Sequence, residues 1–357
     1  MNKISDIRLP SVDGWSILPV SGEDHDVVVL SQVVLYRNFR KLPFPSSQNS
    51  VQAREILSSV ELIIQSISSQ GYAIAQASPR DDGTVQGMFL ERYYCADFLK
   101  DHQHWYIDAG QNRVLRVNHL DHLEFLGIGT GLDLAGALEY ARSWEQVMEL
   151  SQGFAASVEM GYLTSRVALA GPGMEARVIL HLPGLFREDA IPTMVQNYPL
   201  EPLARDGLDY SPSHLFLLRG FGCLGQTEHD FLDLFTEGVS EIAHLERQAR
   251  ERLRDTDPLE FDDQSWRGWG NLVHHRLMGW NEALTLWSRS RMAWGMEVLP
   301  DFPREFGGLI FRLGENHLSQ WLLEQNDGEK GSPKTEKMTI LDEARSEIIR
   351  QIYAGGM

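Results

Sequence analysis

Cysteine is nearly missing from this chain: Cys95 and Cys223 are the only two. No pair or cluster of thiols is spaced for a zinc site or a disulfide framework, and two isolated cysteines fit a reducing cytosol. Long apolar runs are also absent. No stretch approaches the ~18 apolar residues of a membrane span, and "MNKISDIRLPSVDGW" has no apolar core of signal-peptide length. The expected location is the cytoplasm, with no membrane partner. Basic charge is in short supply, with 32 Lys and Arg against 50 Asp and Glu and a net charge of −18. A field of that sign repels phosphate backbones and excludes a general nucleic-acid binder, although a local basic pocket stays open. The G-x-S-x-G, H-E-x-x-H and G-x-x-x-x-G-K-[ST] patterns are missing too.

What is present is ordinary soluble-protein material, 43% hydrophobic and 23% charged over 357 residues. That length predicts two domains or one large one. A strand is expected at 26–36 and an amphipathic helix at 46–71, where Ile56, Val60, Ile63 and Ile64 share a face. Short strands follow near 72–76, 105–108, 115–118 and 123–127, with a short helix "ADFLKD" among them. A second helix is expected at 132–150. Strand candidates are "SRVALA" (165–170), "EARVILHLP" (175–183) and "SHLFLLRGFG" (213–222). A long helix is expected from Thr227, its N-cap, to Leu253. The acidic "RDTDPLEFDDQS" (254–265) reads as the boundary between a domain at 1–255 and an α-helical one at 256–357. The second holds six of the nine tryptophans. The segment 324–337 reads as a solvated loop and 338–353 as a closing helix.

Local motifs give little chemistry. "GIGTG" (127–131) lacks the G-x-G-x-x-G spacing and reads as a turn into the next helix. His119 and His122 of "NHLDH" have no third ligand in reach, and on a strand they would point to opposite faces. The tryptophans suit core or interface packing better than a ligand cage. These features alone describe an α+β protein with a helical C-terminal part.

The order of segments says more. "VVLSQVVLYRNFRKLPFP", "FLERYYCADFLKD", "VNHLDHLEF" and "VEMGYLTSRVALAGPGMEARVILHLPGL" run in one line with "LERQARERL" and "LDEARSEIIRQIY". Together they resemble the bacterial protein-arginine kinases, the McsB type within the ATP:guanido phosphotransferase (phosphagen kinase) family. The resemblance implies an antiparallel sheet flanked by helices, followed by an α-helical domain for dimerisation and phosphoarginine recognition. It implies transfer of a γ-phosphoryl group from ATP to a guanidinium. That chemistry rests on arginines around the phosphates, carboxylates that orient the guanidinium and a nearby thiolate.

Residue by residue the pattern is eroded. The family's S-R-[IV]-R-x-x-R-N has Gln32 and Val34 at its two phosphate-binding arginines and keeps only Arg37. N-E-E-D-H-[LI]-R becomes Asn118, His119, Leu120, Asp121, His122, Leu123 and Glu124. Arg166 stands at the cysteine of G-Y-L-T-x-C-P, and Glu175 at the arginine of G-T-G-[LM]-R. In the R-G-x-x-G-E loop Arg205 survives while Tyr210 takes the glutamate's place. A carboxylate ~4 Å from a phosphate charge is repelled by about 4 kcal/mol at an effective dielectric of ~20. The loss of the orienting carboxylate costs on the order of 10²–10⁴ in rate.

The resemblance therefore implies a pseudokinase that works by binding. Arg37, Asp121, His122 and Arg205 are the candidate remaining pocket residues. Asp342 and Arg345, at the C-terminal R-D-x-x-R-A positions, are candidates for contacting arginine or phosphoarginine. No cofactor is expected; ATP and magnesium enter only if the chain is a divergent active phosphotransferase. A third reading is a structural subunit beside an active kinase. Implied partners are a second copy or a heteromer, a zinc-containing kinase activator, a transcriptional repressor and a ClpC-type unfoldase.

Overall fold

A computed structural model describes residues 22–69, 74–78, 101–108, 110, 112–205, 208–222, 224–299, 308, 310–325 and 334–354. The short helix expected at "ADFLKD" and both cysteines lie outside the described residues, apart from Asp101.

The chain opens with β1 (Val28–Arg37), α1 (Ser50–Ser69), β2 (Ile74–Ala77), β3 (His104–Asp108), β4 (Arg113–Val117) and β5 (Leu123–Thr130). Next come α2 (Leu134–Gln152), β6 (Ala156–Ser157), β7 (Gly161–Tyr162), β8 (Met174–His181), α3 (Pro183–Arg187) and α4 (Ile191–Met194). They are followed by β9 (Leu200–Pro202), β10 (Ala204–Arg205), β11 (Leu208–Asp209), β12 (Leu215–Phe221) and α5 (Glu228–Thr256). The remaining helices are α6 (Pro258–His274), α7 (Trp280–Gly295), α8 (Glu315–Gln325) and α9 (Lys334–Ala354).

Eight strands form one antiparallel sheet in the order β2-β3-β4-β5-β1-β8-β12-β9. This is the expected α+β layout. β1 is central and every one of its residues is buried, so it reads as a near-continuous apolar run rather than an alternating one. Val33 and Leu35 face one core, shared with Ile56 and Ile64 of α1, Leu138 and Trp144 of α2, and Val239 and Ile242 of α5. Val34 and Tyr36 face the other, shared with Leu284 and Trp287 of α7, with Phe311 in the turn before α8, and with Ile349 of α9. The sheet thus has helices against both faces.

Three local features refine the expectations. "GIGTG" is the end of β5, not a loop. A side chain at Gly127 would come within 1.7 Å of the Ala137 carbonyl oxygen, so this glycine lets α2 lie directly on the sheet. "SRVALA" holds a 3-10 turn at Val167–Leu169 instead of a strand. The acidic stretch at 254–265 is helical on both sides of a one-residue break. Asp257 ends α5 and caps α6, accepting from the Glu260 N–H, and Pro258 takes the first turn.

Candidate functional site

Successive residues of a strand point to opposite faces, and cross-strand neighbours share one. The register of the central strands therefore decides what meets what. Gln32 stands opposite Ile128 and Arg177, Val34 opposite Leu126 and Glu175, and Tyr36 opposite Glu124. β4 places Arg116 beside Glu124, and β12 places Arg219 beside Arg177 and Phe221 beside Glu175. Positions 32, 34, 124 and 175, expected to be eroded, thus converge on one face, the face toward Val34, Tyr36 and the second core.

Each glutamate on that face is neutralised from within. Glu175 accepts from Tyr36 Oη at 2.5 Å and from Arg177 Nε and Nη2 at 2.7 and 2.8 Å. Arg166 Nη2 stands 3.9 Å away. Burial pushes the Glu175 carboxyl upward, but Arg177, Tyr36 and Arg219 together outweigh it and leave the group below its ordinary value. Burial also raises the Tyr36 hydroxyl, which stays protonated as the donor. Glu124 pairs with Arg116, lies 2.8 Å from His119 Nδ1 and accepts the Leu120 N–H at 3.0 Å. Burial opposes its ionisation, yet Arg116 and His119 hold its carboxyl down at about 2.

Arg166 and Arg219 sit at the mouth of this cluster, each with 41% of its side chain exposed. The Arg166 guanidinium lies over the Tyr36 ring at 5.4 Å and the Phe221 ring at 6.0 Å. The Nε atoms of both arginines are buried with no hydrogen-bond partner.

The candidate remaining pocket residues are dispersed. Arg37 lies on the other side of the sheet, 1% exposed. Its Nε donates to Glu145 at 2.5 Å, its Nη1 to the carbonyls of Tyr36, Pro172 and Gly173, and its guanidinium stacks 3.5 Å from the Tyr162 ring. It is a bolt between β1, α2 and the loop before β8, and it does not meet Arg166. Asp121 and His122 belong to a clasp around Asn38. Asp121 Oδ1 accepts from Asn38 Nδ2 at 2.5 Å and from the Ser165 N–H at 2.7 Å. His122 Nδ1 accepts the Phe39 N–H, leaving Nε2 to donate to the Pro43 carbonyl, and burial lowers its pKa. Asp121 Oδ2 has no hydrogen-bond partner, and burial raises its pKa. Arg205 lies on β10, and its side chain falls outside the described residues.

Tyr210 is a core residue, edge-on to Trp280 at 5.3 Å. Asp342 and Arg345 do meet, at 2.6 Å, but the guanidinium also donates to the Leu313 and Met278 carbonyls. That pair ties α9 to the segments before α7 and α8. His119 and His122 diverge, and among the described residues no group of three metal-ligating side chains forms.

Sequence reasoning missed Tyr36, Arg116, Arg177 and Arg219. Arg177 was within reach, since it lies two residues after Glu175 on one strand and must share its face. The other three depend on strand register, which spacing does not reveal.

With this geometry in hand, similarity to known proteins becomes informative. Residues 56–249 match the ATP:guanido phosphotransferase C-terminal catalytic domain, more than half of the chain. The chain belongs to this family. Among ATP:guanido phosphotransferases it is similar to a protein-arginine kinase of Clostridium acetobutylicum, 24% identical over 79% of this chain and 86% of that one. It is 27% identical to that of Desulforamulus reducens, over 83% and 85%, and 23% identical to that of Clostridium novyi, over 96% and 99%. Lombricine kinase shares the fold, with a TM-score of 0.52 at 15% identity over 67% of this chain and 71% of its own. So does the duplicated taurocyamine kinase of Schistosoma mansoni, with a TM-score of 0.52 at 15% identity over 69% of this chain and 35% of its own. No helix among the described residues is long and apolar enough to cross a membrane.

Proposed function

We propose that this protein is a protein-arginine-kinase-like pseudokinase, a cytoplasmic binding protein of protein quality control rather than a phosphotransferase. One observation carries the reading. On the face where the family resemblance implies phosphate-gripping arginines stand Gln32, Val34, Glu124 and Glu175, and both glutamates are tied into buried ion pairs with Arg116 and Arg177. A γ-phosphate entering there meets carboxylates where attraction is needed. Catalysis of phosphoryl transfer is mostly positioning and charge stabilisation, so this change removes its main source. The partners that fit are a second copy of the chain, an active paralogue, a zinc-containing kinase activator or a ClpC-type unfoldase.

The test is direct. The full chain is incubated with ATP, magnesium and an arginine-rich protein such as histone, and phosphoarginine is measured by mass spectrometry. The expected result is none above a no-enzyme control. Robust phosphoarginine formation that disappears in Arg166→Ala would overturn the reading and establish a divergent phosphotransferase.

A further inference from the structure

The cations of the remodelled face are arranged around an anion that the protein itself provides. Tyr36 Oη and two nitrogens of Arg177 reach the Glu175 carboxylate at 2.5, 2.7 and 2.8 Å. Arg166 adds a third guanidinium at 3.9 Å. Arg219 neighbours Arg177 across the β8–β12 ladder, and its charge helps to hold Glu175 ionised. A hydroxyl and a forked guanidinium donating to one small oxyanion, with further guanidinium charge nearby, are the usual composition of a phosphate or carboxylate site.

Two of these arginines have capacity to spare. Arg166 and Arg219 each make one long ion-pair contact, at 3.9 Å to Glu175 and 3.7 Å to Glu201, and the Nε of each is buried without a partner. A guanidinium offers five N–H donors. Behind them, Arg177 is only 8% exposed and Glu175 only 1%. The carboxylate is thus a buried counter-charge held by two nitrogens of Arg177.

We infer that Glu175 is a tethered ligand: its carboxylate occupies a small-oxyanion site formed by Tyr36, Arg166, Arg177 and Arg219, and it competes there with a phosphoryl group from outside. This rests on the reading that the face no longer grips ATP, and it adds what the face has become.

The experiment removes the charge and keeps the shape. Glu175→Gln in the full chain is titrated with inorganic phosphate, against chloride at matched ionic strength, and followed by thermal unfolding with far-ultraviolet circular dichroism. The variant is expected to melt below wild type in chloride and to gain about 2–4 °C as phosphate saturates the site. Wild type should gain less than a quarter of that, and Glu175→Gln combined with Arg219→Ala should lose the gain. Should Glu175→Gln be unfolded in chloride, phosphate is expected to restore its fold. A variant that phosphate neither stabilises nor refolds would overturn the inference. So would a wild type that responds as strongly as the variant, or a gain that survives Arg219→Ala. None of these results bears on phosphoarginine formation by wild type, so the two proposals fail separately.

Discussion

Glu124 shows in one residue how this face differs from a phosphate grip. It is fully buried, and its charge is compensated by Arg116, itself 3% exposed, and by His119. Replacing it as Glu124→Gln leaves a buried guanidinium without its counter-ion, a change that costs about 3–5 kcal/mol. Urea titration at pH 7 measures this as a lower midpoint with an unchanged slope. The pH dependence follows with a definite sign. Glu124 titrates at about 2 in the folded chain against an ordinary value of 4.5, so the unfolded chain takes up the proton first as pH falls. Its stabilisation is complete above 4.5 and is lost between 4.5 and about 2. Glu124→Gln should flatten the stability profile in that window, and an unaltered profile would contradict the assignment. The motif resemblance singled out Glu124 and Glu175, and the strand register sets both on one face of the sheet. Their neutralisation by Arg116, Arg177 and Tyr36 was not legible, because it depends on pairing between strands far apart in sequence.

At the scale of elements, strands and helices with strong periodicity were readable: β1, α1, α2 and α5 stand where the apolar pattern puts them. The capping box at Thr227 and Asp230 is present in full. "SRVALA" misled because its alternating residues close a turn, with Leu169 buried and Val167 86% exposed. "RDTDPLEFDDQS" is helical on both sides of Asp257, since proline and acids suit the first turn of a helix. The contact between β8, β12 and α7 was not legible at all. There the Ser288 hydroxyl lies 2.8 Å from both His181 Nε2 and His214 Nδ1. Burial, reinforced by the nearby Arg250 and Arg291, keeps His181 far below its ordinary value, and burial beside Arg187 holds His214 at about 4. Depressed histidines stabilise the fold above their unfolded pKa of 6.5 and lose that contribution as pH falls toward 4. Urea titrations from pH 7 to 4 should show a smaller loss of stability in His214→Asn than in wild type, and an equal loss in both would contradict the assignment.

Among the described residues the eight-stranded sheet has a core on each side, and the second core runs from β1, β8 and β12 into α7 and α9. Trp287 is fully buried in it. Trp287→Ala should cost about 3–5 kcal/mol. Because that core spans sheet and helices, the loss should appear in one cooperative transition, and two separate transitions would contradict the continuity of the core. Arg250 and Arg291 tighten the same junction. Arg250 donates to the His181 carbonyl at 3.0 Å and Arg291 to the His25 carbonyl at 2.5 Å. On the sheet face toward the second core, Glu124 and Glu175 are paired internally with Arg116 and Arg177. The central claim is that this face has lost its hold on nucleotide phosphates. Isothermal titration of the full chain with magnesium–ATP tests it most directly: no saturable heat is expected at concentrations up to about 1 mM, whereas a saturable one-to-one isotherm abolished by Arg166→Ala would contradict the account.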